Sequence, residues 1–186
     1  MVAGRTLLIG VLALSQSILG LAAGSDSGAS AIISSFKTIT NDVHTLNTTL
    51  SHFHQGSEAT GTALELQGEA SDLRKTIDKG TDVAGKTSDL ETADQKKIAA
   101  AVTPLTQDVG SLIDGFVAKK SVFQKAVLGG SADGLVEKDL KDLKESTDKF
   151  GQAILKHFSG ETKTKSSGLL SGIDKHFSAA IKSFSD

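Results

Sequence analysis

Chemistry in this chain would have to come from five histidines, a scatter of carboxylates and the serines and threonines, because it contains no cysteine. His52 and His54 are two residues apart and point to different faces of a helix. No pair of histidines has the i, i+4 spacing that puts two imidazoles on one ion, so all five read as surface or boundary residues. A nucleophile elbow, Gly-x-Ser-x-Gly, does not occur; Gly168-Leu169-Leu170-Ser171-Gly172 holds the same residue types in the wrong order. Aspartates and glutamates are distributed among lysines on helix faces, and no glycine-rich phosphate cradle is present. Neither a metal, a cofactor nor catalysis is therefore expected.

What remains is the capacity to bind apolar matter. All eight aromatic residues are Phe, without the polar tip of Tyr or Trp, so they fit a core or an apolar ligand equally well. The candidates for contact with a lipid or a hydrophobic surface are Phe36, Leu105, Val109, Leu112, Phe116, Phe123 and Phe150. Gly110 and Gly115 flank Leu112 and Phe116, and Gly151 follows Phe150. Small beside large predicts room between helices for an acyl chain. Burying a sixteen-carbon chain at about 0.8 kcal/mol per methylene gains on the order of 10 kcal/mol before ordering costs. The same stripes turned outward would let an opened bundle spread on a solid or lipid surface. Asn47-Thr48-Thr49 is a glycosylation sequon whose Asn lies beside the Leu46/Leu50 stripe, where a glycan would stay out of the core.

Composition excludes other partners. The formal net charge is −2, no basic run interrupts the balance, and Trp and Tyr are absent, which argues against nucleic acid.

The elements that must position these residues are helical. Ile98, Val102, Leu105, Val109, Leu112 and Phe116 advance by 4, 3, 4, 3 and 4, the period of an α-helix. That spacing predicts a central helix over Leu90 to Leu128, opened by a Ser88/Glu91 capping box, bent near Pro104 and stopped by Gly129-Gly130. Before it, Ile32 to Phe53 predicts one helix, and Ala59 to Ile77 an alanine-rich second, with Gly80 to Ser88 as a loop. After it, Val136 to Ile154 predicts a helix over residues 131–158, with Glu137/Lys141 and Glu145/Lys149 paired on its outer face. A polar break over Ser159 to Ser167 then precedes a last helix bearing Ile173, Phe177, Ile181 and Phe184. No period-two alternation is sustained, so the expected fold is all-α, an antiparallel bundle of five or six amphipathic helices.

Residues 1–23 have the layout of a secretory signal peptide, with Arg5, an apolar run from Leu7 to Leu14 and small residues at Ala22 and Ala23. Residues 24–186 are then one domain, with no transmembrane segment and no hydrophobic tail for a GPI anchor.

The stretch Ile98-Ala-Ala-Ala-Val102-Thr-Pro104-Leu105, then Asp108-Val109, Lys119-Lys120, Leu135-Val136-x-x-Asp139-Leu140-x-x-Leu143-Lys144-x-x-Thr147-Asp148 and Ile173-Asp174-x-x-Phe177-x-x-Ala180-Ile181 resembles the fungal hydrophobic surface-binding protein A family, also called cell-wall galactomannoproteins. The likeness covers nearly the whole chain after the leader. It implies a secreted, extracellular or cell-wall-associated helical protein that adsorbs to hydrophobic surfaces and can bring polyester-degrading enzymes, such as a secreted cutinase-type hydrolase, to them. Relatives of this kind hold fatty acids between helices, so the resemblance implies a lipid carrier or a structural wall mannoprotein and antigen as alternatives. It brings no catalytic residue with it.

Overall fold

The structure, a computed structural model, describes residues 28–126 and 131–185. The expected leader over residues 1–23, Val127 and the Gly129-Gly130 stop lie outside the described residues. The chain forms α1 (Gly28–His52), α2 (Ala59–Lys86), α3 (Thr92–Ala118), α4 (Lys120–Ala126), α5 (Asp133–Leu155) and α6 (Gly160–Ser185). Among the described residues there is no strand.

The five long helices close into a ring in the order α1, α2, α5, α6, α3 and back to α1, and α4 packs against α2, α3 and α5 at one end. Consecutive long helices run up and down. Gly28 at the start of α1 meets Thr87 at the end of α2, whereas Leu50 near the end of α1 meets Gly115 near the end of α3. The ring therefore has α1, α3 and α6 pointing one way and α2 and α5 the other. Each helix turns its apolar stripe inward: Ile32, Phe36, Ile39, Val43, Leu46 and Leu50 of α1 are all buried, as are Leu66, Leu73 and Ile77 of α2 and Val136, Leu140, Leu143 and Phe150 of α5.

Polar ties lace the seams from outside. Thr49 donates to Glu69 across α1/α2 at 2.9 Å, and Arg74 pairs with Asp142 across α2/α5 at 3.2 Å. Lys144 bridges Asp148 at 2.7 Å and Asp174 of α6, and both carboxylates hold its ammonium above the usual lysine range. His176 meets Asp114 across α3/α6 at 2.9 Å, and His44 meets Asp108 across α1/α3 at 3.4 Å. The expected pairs Glu137–Lys141 and Glu145–Lys149 are formed at 2.5 and 2.7 Å on an exposed face, where solvent screening leaves each a minor contribution.

Several helix boundaries differ from the sequence expectation. The α2 helix runs on through Gly80 and Gly85 to Lys86; at Gly80 a Cβ would stand 3.0 Å from the Phe150 ring, so the glycine marks close packing of α2 on α5 and not a loop. Helix α3 begins at Thr92 without a side-chain cap, so the Ser88/Glu91 box does not form. Its entry is held instead by Gln95, which donates to the Leu90 carbonyl at 2.9 Å and accepts from the Ser159 N–H at 3.1 Å.

The α3 helix continues through Pro104; Pro104 and Ala100 are both exposed, so the carbonyl that proline cannot bond faces water. The break in the long central stretch falls at Lys119. There Lys119 donates to the Phe53 carbonyl at 2.8 Å and Lys120 to the Ser183 carbonyl, placing two cations on the C-terminal ends of α1 and α6. Residues 160–168 are also helical, so the break after α5 shrinks to four residues and ends on Gly160, whose φ of 52° lies in the left-handed region.

Phe123 of α4 is buried and sits 4.6 Å from Phe53, 5.8 Å from Phe116 and 6.1 Å from Phe184, ring centre to ring centre. It plugs the α4 end of the ring. Phe123→Ala is expected to cost about 3–5 kcal/mol in urea unfolding, whereas Leu64→Ala, at a side chain 62% exposed, should stay within about 0.5 kcal/mol.

Candidate lipid-binding channel

Five helices in a ring leave axial room that four would fill, and this ring retains it as a row of apolar voids. The largest lies between α1, α3, α5 and α6 toward the Phe158 end, with Phe36, Leu105, Val109, Phe150, Leu170 and Ile173 among its walls. It encloses about 60 Å³. That is room for a few waters, well short of the few hundred Å³ of a filled small-molecule site, so a seated chain must push the lining side chains apart.

A narrower void follows on the axis, sharing Ile77, Val109 and Thr147 with the first, and a third continues it through Phe116, Leu140 and Leu143 toward α4. Each of these narrower segments encloses about 20 Å³, little more than one water needs.

All seven apolar candidates lie on this row. Phe36, Leu105, Val109 and Phe150 border the large void, Leu112 and Phe116 the middle one, and Phe123 the end against α4. The small residues leave the expected room unevenly. The place of a Gly115 side chain is taken by Leu50, 3.0 Å from an ideal Cβ, and at Gly151 a Cβ would overlap Leu170, whereas at Gly110 a Cβ would only touch the His176 ring at 3.5 Å and the glycine borders an open outer groove between α3 and α6. The room lies between the large side chains, where the ring cannot close on itself.

Sequence reasoning missed the polar groups of the channel. Ser166 of α6 is 6% exposed, borders the large void, and its hydroxyl has no partner. Such a hydroxyl costs free energy until something bonds it. At the other end, next to the third void and sharing Gln67, Ala70, Asp139 and Leu143 with it, a polar mouth of about 170 Å³ lies between α2 and α5, framed also by Ser71, Arg74, Lys138 and Asp142. Burial pushes the Asp139 carboxyl above its ordinary value of 3.8, Asp142 adds to this, and Lys138 and Arg74 oppose it.

Other candidates lie outside the channel. Asn47 is exposed on α1. Of the histidines, His44 and His176 serve the seams, His157 reaches the Ala84 carbonyl at 2.8 Å, and His52 contacts the Thr48 carbonyl at 2.9 Å. Among the described residues no three metal-ligating side chains converge, and no helix is long and apolar enough to cross a membrane.

A closed ring of amphipathic helices around a row of small apolar voids, with isolated polar groups near its two ends, defines a helical bundle with an incompletely filled axis. The chain belongs to the hydrophobic surface binding protein A family, whose sequence profile matches residues 29–156. It is similar to cell wall mannoprotein 1 of Aspergillus flavus, 29% identical over 126 residues, which is 68% of this chain and 45% of that protein. The chain thus spans under half the length of that relative.

Among solved structures, Afmp4p in complex with palmitic acid is 31% identical, with a TM-score of 0.77 over 84% of this chain and 99% of that one. Ligand-binding domain 1 of the Penicillium marneffei MP1 protein, complexed with arachidonic acids, shares the fold with a TM-score of 0.75 at 14% identity, over 84% of this chain and 98% of that one.

The Asp139 carboxyl gives a test of the mouth. A carboxyl whose pKa is higher folded than unfolded binds its proton more tightly in the native state, so its contribution favours folding below the unfolded value and is lost as pH rises through the folded one. Asp139→Asn is expected to be more stable than the wild type at pH 7 in urea unfolding, with the difference closing toward pH 3.

Proposed function

We propose that this protein binds single-chain amphiphiles, fatty acids foremost, with the acyl chain lodged in the axial channel and no catalytic step. The observation that carries this reading is the buried Ser166 hydroxyl, unpartnered at the wall of an otherwise apolar cavity. An apolar lumen supplies affinity by burial, and one hydroxyl supplies a hydrogen bond to a polar head. The palmitic acid of the Afmp4p complex is a ligand of this class. Because the narrow segments admit little more than water, entry of a chain requires Val109, Phe116 and Leu143 to change rotamer.

Extracellular or wall location fits this role, and a glycan at the exposed Asn47 would stand outside the ring. Delipidated protein is expected to take up hexadecanoic acid at one or more sites in calorimetric titration. Ser166→Ala should weaken that uptake about tenfold or more while leaving the melting temperature unchanged or raised, since the hydroxyl has no partner to lose. Failure of the wild type to bind hexadecanoic acid would sink the reading.

Adsorption to solid hydrophobic surfaces, the property in the family's description, is a second use of the same stripes. Among the described residues only Leu64 and Val117 are large hydrophobic side chains left exposed, so the closed ring offers no broad apolar face. Adsorption then requires a seam to part. Polyester particles are expected to deplete the protein from solution faster than an unrelated helical protein of similar charge. Adsorbed protein should lose near-ultraviolet ellipticity while keeping its helical signal. Recruitment of a cutinase-type hydrolase would follow as co-depletion of that enzyme from the same mixture.

A further inference from the structure

The polar mouth between α2 and α5 is not needed to hold a plain acyl chain, yet it sits where the row of voids ends. It shares Gln67, Ala70, Asp139 and Leu143 with the third void. Two groups in it stand out. The Arg74 Nε is buried with no acceptor, although the same guanidinium reaches Asp142 through Nη1 at 3.2 Å. Asp139 is half-buried and its charge is disfavoured there by burial. An arginine N–H can only donate and an ionised carboxylate can only accept. A hydroxyl does both, and is the smallest terminus that would engage the two at once. Charge points the same way: Arg74 and Lys138 face Asp139 and Asp142, two cations against two carboxylates, so the mouth attracts neither a second carboxylate nor a cation.

The distance between the ends is set by the helices. Leu170 packs over Gly151, so Ser166, one turn earlier on the antiparallel α6, is level with Leu155. From Asp139 to Leu155 along α5 is about 24 Å at 1.5 Å per residue. Carbon–carbon bonds of about 1.5 Å at tetrahedral angles advance an extended chain about 1.25 Å per bond, so eighteen carbons span about 21 Å and the hydrogen bonds at the two ends take up the remainder.

We propose that the channel is built for a long-chain acid carrying a hydroxyl at its far end, with the carboxylate at Ser166 and the terminal hydroxyl between Arg74 Nε and Asp139. This rests on the acyl-chain reading above and adds a second polar subsite to it. A channel with an apolar blind end would reject such a ligand, because burying an unbonded hydroxyl costs several kcal/mol by transfer scales. A channel with this mouth accepts it.

The test compares 18-hydroxyoctadecanoic acid with octadecanoic acid by calorimetric titration of the delipidated protein. In the wild type the hydroxy acid is expected to bind within tenfold of octadecanoic acid. Arg74→Met keeps the stem of the side chain over the slot while removing its donors. It should weaken the hydroxy acid by more than tenfold and leave octadecanoic acid unchanged, and Asp139→Ala, checked for folding by circular dichroism, should do the same. The proposal is overturned if the wild type binds the hydroxy acid more than tenfold more weakly than octadecanoic acid. Equal effects of both variants on the two acids, or no effect on either, would also overturn it. If the wild type binds neither acid, the acyl-chain reading itself falls, and the proposal with it.

Discussion

Closure of α3 against both α1 and α6 is the constraint on which the rest of the molecule depends. Without that seam pair the chain would be an open row of helices, and its apolar stripes would face water. With it, five stripes converge on one axis. Helices about 10 Å across can touch their neighbours around a ring of five and still not meet at its centre, so side chains must fill the lumen. They fill it well at the α4 end, where four Phe rings meet, and incompletely toward the Phe158 end. The outer ties at His44–Asp108 and His176–Asp114 are exposed and add little energy; burial of Leu112, Ile113, Phe116 and Ile173 holds the seams.

The stripes made most of this legible. Helical spacing fixes which residues share a face, and in a ring every such face points at the axis, so residues chosen for their type and period all border the channel. Boundaries were legible only where packing agreed with propensity. Gly80 and Gly85 carry a loop-like composition, but the close approach of Phe150 to Gly80 outweighs the propensity cost of glycine in a helix. Residues 160–168, rich in Thr, Ser, Lys and Gly, read as a break until Ser166 and Ile173 are seen to pack on α5 and α3.

The polar groups were illegible for a different reason. Ser166, Arg74 and Asp139 are ordinary residues of amphipathic helices when read along the chain. What sets them apart exists only in three dimensions, a missing partner at the Ser166 hydroxyl and the Arg74 Nε and partial burial at Asp139, and neither leaves a mark in spacing or type. Gly115 failed in the opposite sense: a small residue suggested space, and Leu50 of α1 had already taken it, while Gly110 does border open space, but on the outside of the ring and not in its lumen.

The pinched middle of the channel has a kinetic consequence. A lumen that admits little more than single waters between Val109, Thr147 and Phe116 offers no standing path along the axis. Any molecule seated there arrives and departs at the pace at which packed side chains part. Collision frequency does not set that pace. Residence time then becomes a property of core mobility, tunable by mutations that touch no ligand atom, and retention during transfer through water no longer depends on equilibrium affinity alone.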